Sequence, residues 1–381
     1  MVAQSRRRLQ PGHPYNLDMP TSAIFVRALS RVLCLTLLAA APAAAQARAP
    51  FHIGGVDVPA GTRRDLDLAV PAGATDGATR VPVTVFHGAA AGPVLALTAG
   101  VHGYEFVPIL ATQRLLARID PATLRGTVIL VRIAHVEAFE ARSVYVNPHD
   151  RKNLNRVFPG KADGTQAERI AWAISTEVIR RCDAHVELHG GDGAEWMEAF
   201  AGPYGGPLAA AQYERSKTMA LAFGLRNVIT YEMKTQAQVD NGRSLNRQAV
   251  ADGKPTVLVE IGQNGERDGV AIDTLTRGLE NLLRTLKMTD GAVTPPRRDT
   301  RWFGDSAEAE ATTTGIFTPV ATVGRSVKKG DLIGTVADYA GKEIERIVSP
   351  VDGYVMYGLA GPPVRAGEAV VTIGIPAAPP K

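Results

Sequence analysis

His102, Glu105 and His189 have the types and spacing of a catalytic zinc site. The first two stand in Gly100-Val101-His102-Gly103-Tyr104-Glu105, directly after the apolar run Val94 to Ala99. The third follows another short apolar run, in Val186-Glu187-Leu188-His189-Gly190. Two imidazoles and one carboxylate are the ligands used where zinc must keep a fourth position for water. Each group lies just past a strand-like stretch, where open α/β sheets place their chemistry. A lone histidine in a glycine-flanked loop is ordinarily solvated or capping, so the metal reading depends on what accompanies it.

Two further stretches accompany it. The loop Asn147-Pro148-His149-Asp150-Arg151-Lys152-Asn153-Leu154-Asn155-Arg156-Val157-Phe158-Pro159-Gly160 is dense in amides and guanidinia. An arginine fork beside an asparagine donor suits a carboxylate, although polar loops are more often plain surface. In Thr256-Val257-Leu258-Val259-Glu260-Ile261-Gly262 a single carboxylate ends an apolar strand, and a buried carboxylate needs either a partner or a task.

In chain order, Gly-Val-His-Gly-Tyr-Glu, Asn-Leu-Asn-Arg-Val-Phe-Pro-Gly, Glu-Leu-His-Gly and Val-Glu-Ile-Gly resemble the motifs of the succinylglutamate desuccinylase/aspartoacylase family. That family is a branch of the zinc carboxypeptidase superfamily, and the motifs span most of residues 94 to 265. The resemblance implies that His102, Glu105 and His189 hold one zinc per chain. It implies that Asn155 and Arg156 grip a substrate carboxylate and that Glu260 serves as general base and acid. The family also has a second arginine upstream of the Asn-Arg pair. Arg142 fits that place by its spacing from Ala138-Phe139, with Arg151 behind it. The chain departs from the family in two places. The family's Asn-Pro is absent from Ile133-Ala134-His135-Val136-Glu137-Ala138-Phe139, and Asn153 stands where members often carry aspartate. The family's substrate-side tyrosine and arginine have no matching motif, though Tyr231, Arg243 and Arg247 lie in that region.

The expected reaction is therefore zinc-dependent hydrolysis of an amide in an N-acyl amino acid or a related small carboxylate-bearing substrate, rather than preferential cleavage of peptide bonds. A periplasmic carboxypeptidase or murein-peptide amidase, acting on a short peptide, is the alternative on the same zinc core. A non-catalytic ligand-binding protein is the alternative of another class, and the presence of every motif residue, Glu260 included, weighs against it.

The elements that must position these residues alternate from about residue 50 to 290. Val94–Ala99, Val128–Ile133, His185–Leu188, Val228–Tyr231 and Val257–Ile261 read as strands. Phe106–Ile119, Gln166–Arg181, Leu208–Phe223 and Val270–Leu286 read as helices by their apolar spacing. The fold class is α/β: a zinc-carboxypeptidase-like α/β/α catalytic domain with a mixed sheet over residues 48–290. Residues 291–310, with Pro295-Pro296-Arg297-Arg298 and an acidic stretch, read as a linker. Residues 311–376, where glycines punctuate short apolar strands, read as a small all-β barrel-sandwich domain similar to lipoyl carriers, leaving a tail over 377–381. No lysine in this region has a carrier setting, so no covalent cofactor is expected. The domain is expected to be structural, or to narrow the mouth of the active site. Trp196, Met197 and Tyr204, soon after His189, are candidates for the pocket lining or equally for packing.

Residues 1–47 read as a leader, with Met19 a possible true start. Arg27 and Arg31 precede the short run Val32 to Leu38, and an alanine-rich stretch ends in cleavable Ala-x-Ala. Export to the periplasm or beyond is expected, with no stable membrane insertion of the mature protein, because the apolar run is too short to span. Of 42 basic and 38 acidic residues, five arginines and one aspartate fall in the first 45 positions, so the remainder is balanced. The basic balance thus belongs to the leader and gives no reason to expect a nucleic-acid partner. Of the two cysteines only Cys182 lies beyond the leader, which excludes an intrachain disulfide in a processed chain.

Overall fold

Every residue of the strand Ala184–His189 is buried, and a strand apolar on both faces must lie in the interior of a covered sheet. In the computed structural model, which describes residues 48–379, it does so. The strand pairs in parallel with Ala90–Ala99 on one side and with Thr256–Glu260 on the other. Arg125–Val131 extends the parallel set beyond Ala90–Ala99. Two antiparallel strands, Thr79–His87 and Thr62–Val70, finish that edge. On the opposite side Phe200–Gly205 runs antiparallel to Thr256–Glu260, so the sheet is mixed, as the sequence leads one to expect.

Helices cover both faces. Gln166–Glu177 packs with Ile53, Val83, Val85 and Ile129 on one face, and its entry is fixed by a capping box between Thr165 and Glu168. Phe106–Leu115 and Gly269–Thr285 pack together on the other, around Leu95, Leu97, Val186 and Val257. The helix Tyr213–Ala222 ends at Phe223, followed by Gly224 in the left-handed conformation, a C-terminal glycine stop legible in the sequence.

The sequence reading of residues 291–310 as a linker needs correction. Residues 287–300 contain no helix or strand, but Arg301–Glu310 is a ten-residue strand. It pairs in parallel with Asn227–Ile229 and antiparallel with Ala369–Ala377. Its acidic composition conceals a period of two in its second half, where Ala307 and Ala309 turn inward while Glu308 and Glu310 face solvent, and a bulge after the buried Phe303 turns Asp305 outward. The same sheet thereby continues without a break into the C-terminal strands Gly353–Leu359 and Ala369–Ala377. A second sheet of Gly315–Pro319, Leu332–Ala337, Glu343–Val348 and Pro363–Val364 closes a separate small core around Phe317, Ile333, Val355 and Ile373. The leader reading falls on residues 1–47, outside the described residues, as do Pro380 and Lys381.

Candidate metal centre and active site

The parallel strands end together, and their ends carry the chemistry. Glu260, the last residue of its strand, is in register with His189, the last residue of the neighbouring one. Ala90–Ala99 stops one residue before Gly100, and the turn that follows delivers His102 and Glu105 to the same place. This turn lies so close to the helix Val136–Ala141 that a Cβ at Gly103 would come within 2.2 Å of the Ala138 carbonyl. Only glycine permits that approach. Glu105 occupies the N-cap position of the helix Phe106–Leu115 but makes no capping hydrogen bond, so its carboxylate is free to face the imidazoles.

Ligand atoms of His102, Glu105 and His189 lie within 4.8 Å of one another, and all three side chains are buried. The His102 Nδ1 is 2.7 Å from Glu105 Oε1. Glu105 Oε2 lies 2.8 Å from His189 Nδ1, yet this approach lacks hydrogen-bond geometry and leaves a buried oxygen without a partner. Meanwhile both outer ring nitrogens are engaged: His189 Nε2 with Glu187 Oε1 at 2.8 Å, and His102 Nε2 with Asn153 Oδ1 at 3.3 Å. Outer acceptors of this kind fix the tautomer of a metal-binding histidine, so both Nδ1 atoms and a Glu105 oxygen converge as a zinc ion requires. The donor set therefore fits the metal.

Electrostatics agree. Burial raises the Glu105 carboxyl, but the His189 and His102 imidazoles outweigh it and bring it down to about 2. Burial likewise disfavours a charge on His189, yet Glu105 and then Glu187 hold that imidazole protonated well above its ordinary range. Both carboxylates thus favour positive charge at one buried point. Glu260 has the opposite fate: burial, reinforced by Glu105, Glu195 and Glu187, pushes its carboxyl well above the usual range despite the opposing pull of His189.

A cavity of about 400 Å³ opens on these groups. Asn155 and Arg156 line it, as the sequence reading expects. The Asn155 Oδ1 accepts from the Leu245 amide at 2.9 Å, and its Nδ2 is 3.4 Å from His189 Nε2. Arg142, in contrast, does not reach the cavity. It closes the helix Val136–Ala141 in a left-handed conformation with φ 50°, its side chain exposed, and Arg151 is exposed too. Sequence spacing counted residues along the loop, whereas in the fold it is Tyr145, three residues further on, that this loop brings against His102. The second guanidinium in the lining belongs to Arg247, which also donates to the Asn241 carbonyl at 2.9 Å. Arg243 is instead committed to Asp240 and Gln248.

Glu187, Tyr145 and Tyr357 escaped the sequence reading, whereas Tyr204 and Tyr231 were named in it without an assigned contact. Glu187 was visible only as part of the His189 motif, although its place two residues before a ligand on a strand puts both on one face. Tyr231 stacks on Tyr204 with ring centroids 5.1 Å apart, and both line the cavity. Tyr145 sets its ring edge-on to His102 at 5.1 Å and donates from its hydroxyl to Glu195 at 2.7 Å. Tyr357 arrives from the strand Gly353–Leu359, which pairs with Glu195–Met197 beside the site. Of the three packing candidates, Tyr204 lines the cavity, and Met197 packs with Phe200, Phe303 and Met356. Trp196 lies in the Glu195–Met197 strand, outside the lining.

Comparison with known proteins places this geometry. Residues 91–286 match the family model of the succinylglutamate desuccinylase/aspartoacylase catalytic domain. The N-alpha-acetyl-L-2,4-diaminobutyric acid deacetylase of Halomonas elongata is 30% identical over 267 residues, 69% of this chain and 75% of that protein. The succinylglutamate desuccinylase of Pseudomonas aeruginosa is 27% identical over 211 residues, covering 50% of this chain and 57% of that one. Among solved structures, an aspartoacylase family protein of Mesorhizobium loti superposes with a TM-score of 0.72 at 26% identity, over 87% of this chain and 100% of that chain. A product-bound ectoine utilization protein of Ruegeria pomeroyi shares the fold with a TM-score of 0.75 at 24% identity, over 84% and 97% of the two chains.

Proposed function

From a chain that belongs to the succinylglutamate desuccinylase/aspartoacylase family, we infer a zinc-dependent deacylase that hydrolyses the amide bond of small N-acyl amino acids. The observation that carries this reading is the convergence of His102, Glu105 and His189 around a Glu105 oxygen that makes no well-formed hydrogen bond, with Glu260 in register next to them. Zinc bound there would polarise an amide carbonyl and make water a competent nucleophile near neutral pH.

The remaining work falls to side chains. Glu260, held at a strand end against the ligand set, would accept the proton of the attacking water and return it to the leaving amine. Its raised pKa suits a group that must both take and give a proton. Arg156 and Arg247 would hold the carboxylate of the amino acid portion by charge-assisted hydrogen bonds, with Asn155 as a neutral donor between them and the ligands. Tyr204, Tyr231 and Tyr357 wall the cavity and exclude bulk water, which strengthens every charge interaction inside it. The N-acyl amino acid deacylases among its relatives favour deacylation over the carboxypeptidase alternative. The leader reading adds that the reaction takes place after export.

The deciding experiment measures zinc by mass spectrometry in protein purified without chelator, alongside His189→Ala, and turnover on a panel of N-acetyl and N-succinyl amino acids. About one zinc per chain, largely lost in the variant, with turnover of at least one panel member, is the expected result. Absence of both metal and turnover would overturn the reading.

A further inference from the structure

A second cavity of about 970 Å³ adjoins the first, and the two share Tyr145, Glu195 and Tyr357. At the junction stand two carboxylates that the hydrolytic mechanism does not use. Asp192 is 2% exposed and lines the second cavity; its Oδ1 accepts from the Ala194 amide at 2.9 Å, while its buried Oδ2 has no hydrogen bond of full geometry and meets only the Tyr145 hydroxyl that also serves Glu195. Glu195 takes the Tyr145 hydroxyl at 2.7 Å. Among the described residues neither carboxylate has an ion pair. Arg365 lines the far wall of the second cavity but is exposed and touches neither of them.

The two acids are held in place rather than loosely displayed. The Glu195 amide donates to the Asp192 carbonyl at 3.3 Å, and the Glu195 carbonyl accepts from Asn264 at 2.9 Å. Gly191 and Gly265 tie the same loop to the turn after Glu260, with Gly191 donating to the Gly262 carbonyl and Gly265 to the Gly191 carbonyl. The ring of Tyr104 packs so closely on the loop that a Cβ at Gly193 would lie 2.8 Å from it. Burial, and then the charge of Asp192, push the Glu195 carboxyl above its usual range. A buried carboxylate with no cation, set beside a second one, is a costly arrangement that an incoming cation relieves.

We propose that Asp192 and Glu195, bridged to the metal centre by Tyr145, form a subsite for a positively charged ammonium group on the side chain of the substrate. The site then has two poles: Arg156 and Arg247 receive the carboxylate of the amino acid, and the acidic junction receives its side-chain cation. With only two acidic side chains and a phenol, the junction lacks the three ligating groups that unite at His102, Glu105 and His189, so a metal ion is the weaker occupant. The inference rests on the deacylase reading for the bond that is cleaved, but its test does not depend on turnover.

That test is calorimetric binding of L-ornithine against the isosteric L-norleucine, and of L-2,4-diaminobutyrate against L-norvaline, to the zinc-loaded protein. The α-amino and α-carboxyl groups are common to each pair, so the ratio of affinities isolates the side-chain charge. The cationic member of at least one pair is expected to bind tenfold tighter or more. Glu195→Gln and Asp192→Asn should each reduce that ratio at least threefold, even if one of them is poorly folded and only the other can be measured. Equal affinities within both pairs, or a ratio that neither substitution changes, overturns the proposal. A protein that turns over no N-acyl amino acid yet keeps the ratio would remove the deacylase reading and leave the subsite standing.

Discussion

Buried acids are treated in opposite ways in two parts of this molecule. Beneath the helix Gln166–Glu177, Asp76 meets Arg169 in an ion pair whose side chains are both 4% exposed. The pair is finished: Arg169 also donates to the carbonyls of Pro71 and Gly164, and the Arg169 hydrogen bond holds the Asp76 carboxyl below its usual range. At the strand ends, Glu105, Glu187, Glu195 and Glu260 crowd one cavity with only imidazoles and distant guanidinia to balance them. There Glu260 and Glu195 are driven upward instead. Glu105 and Glu187 are balanced by the imidazoles, whereas Glu195 and Glu260 have no cation paired with them among the described residues. The contrast separates an acid that holds the chain together from acids that await a ligand.

The sharpest way to break that contrast is Glu260→Gln, which keeps the shape and removes the proton acceptor. Turnover should fall by roughly 10²–10⁴-fold while zinc content is unchanged, and near-normal kcat would remove Glu260 from the chemistry. Next in size is Arg169→Ala, which leaves Asp76 without its cation and should lower unfolding free energy by about 1–3 kcal/mol in urea denaturation, with zinc retained. The sign with pH follows from the depressed Asp76 pKa. Its contribution is complete above the unfolded value near 3.8 and disappears as pH falls through the lower folded value. Wild type should therefore lose stability in this acid range more steeply than the variant, and parallel curves would show that the pair contributes nothing. The smallest effect tests the ligand shell. Glu187→Gln replaces the carboxylate behind His189 by an amide like that of Asn153 behind His102. Zinc affinity, read by chelator competition, should drop roughly 10–100-fold. An unchanged affinity would mean that the two histidines never needed different outer partners.

The candidate ligand set was legible because its residues lie at or soon after the ends of buried strands, so sequence position and spatial position coincide. His102 and Glu105 share one turn, and His189 and Glu260 are neighbours in register. Asn155 was legible for the same reason, being fixed within its own loop by Asn153, whose Oδ1 accepts from the Asn155 amide at 2.8 Å. What could not be read depended on chain reversals. Arg247 stands in the lining where Arg142 was expected, because the helix Leu245–Ala251 reaches the cavity only through the fold. Tyr357 lies about a hundred residues beyond the nearest motif and reaches the cavity only through pairing with Glu195–Met197. The strand Arg301–Glu310 was hidden for a compositional reason, because Asp305, Glu308 and Glu310 interrupt an apolar set that after Phe303 consists only of alanines.

That strand has a consequence for how the chain could be shortened. It joins Asn227–Ile229 on one side and Ala369–Ala377 on the other, so the C-terminal region is stitched to the catalytic sheet by backbone hydrogen bonds. Trimming the chain at residue 300 would not release an appendage. It would strip the cover from Asn227–Ile229 and leave a raw edge of unpaired N–H and C=O groups, a template for strand addition by any other chain. The C-terminal region thus also covers what would otherwise be an edge of the catalytic sheet.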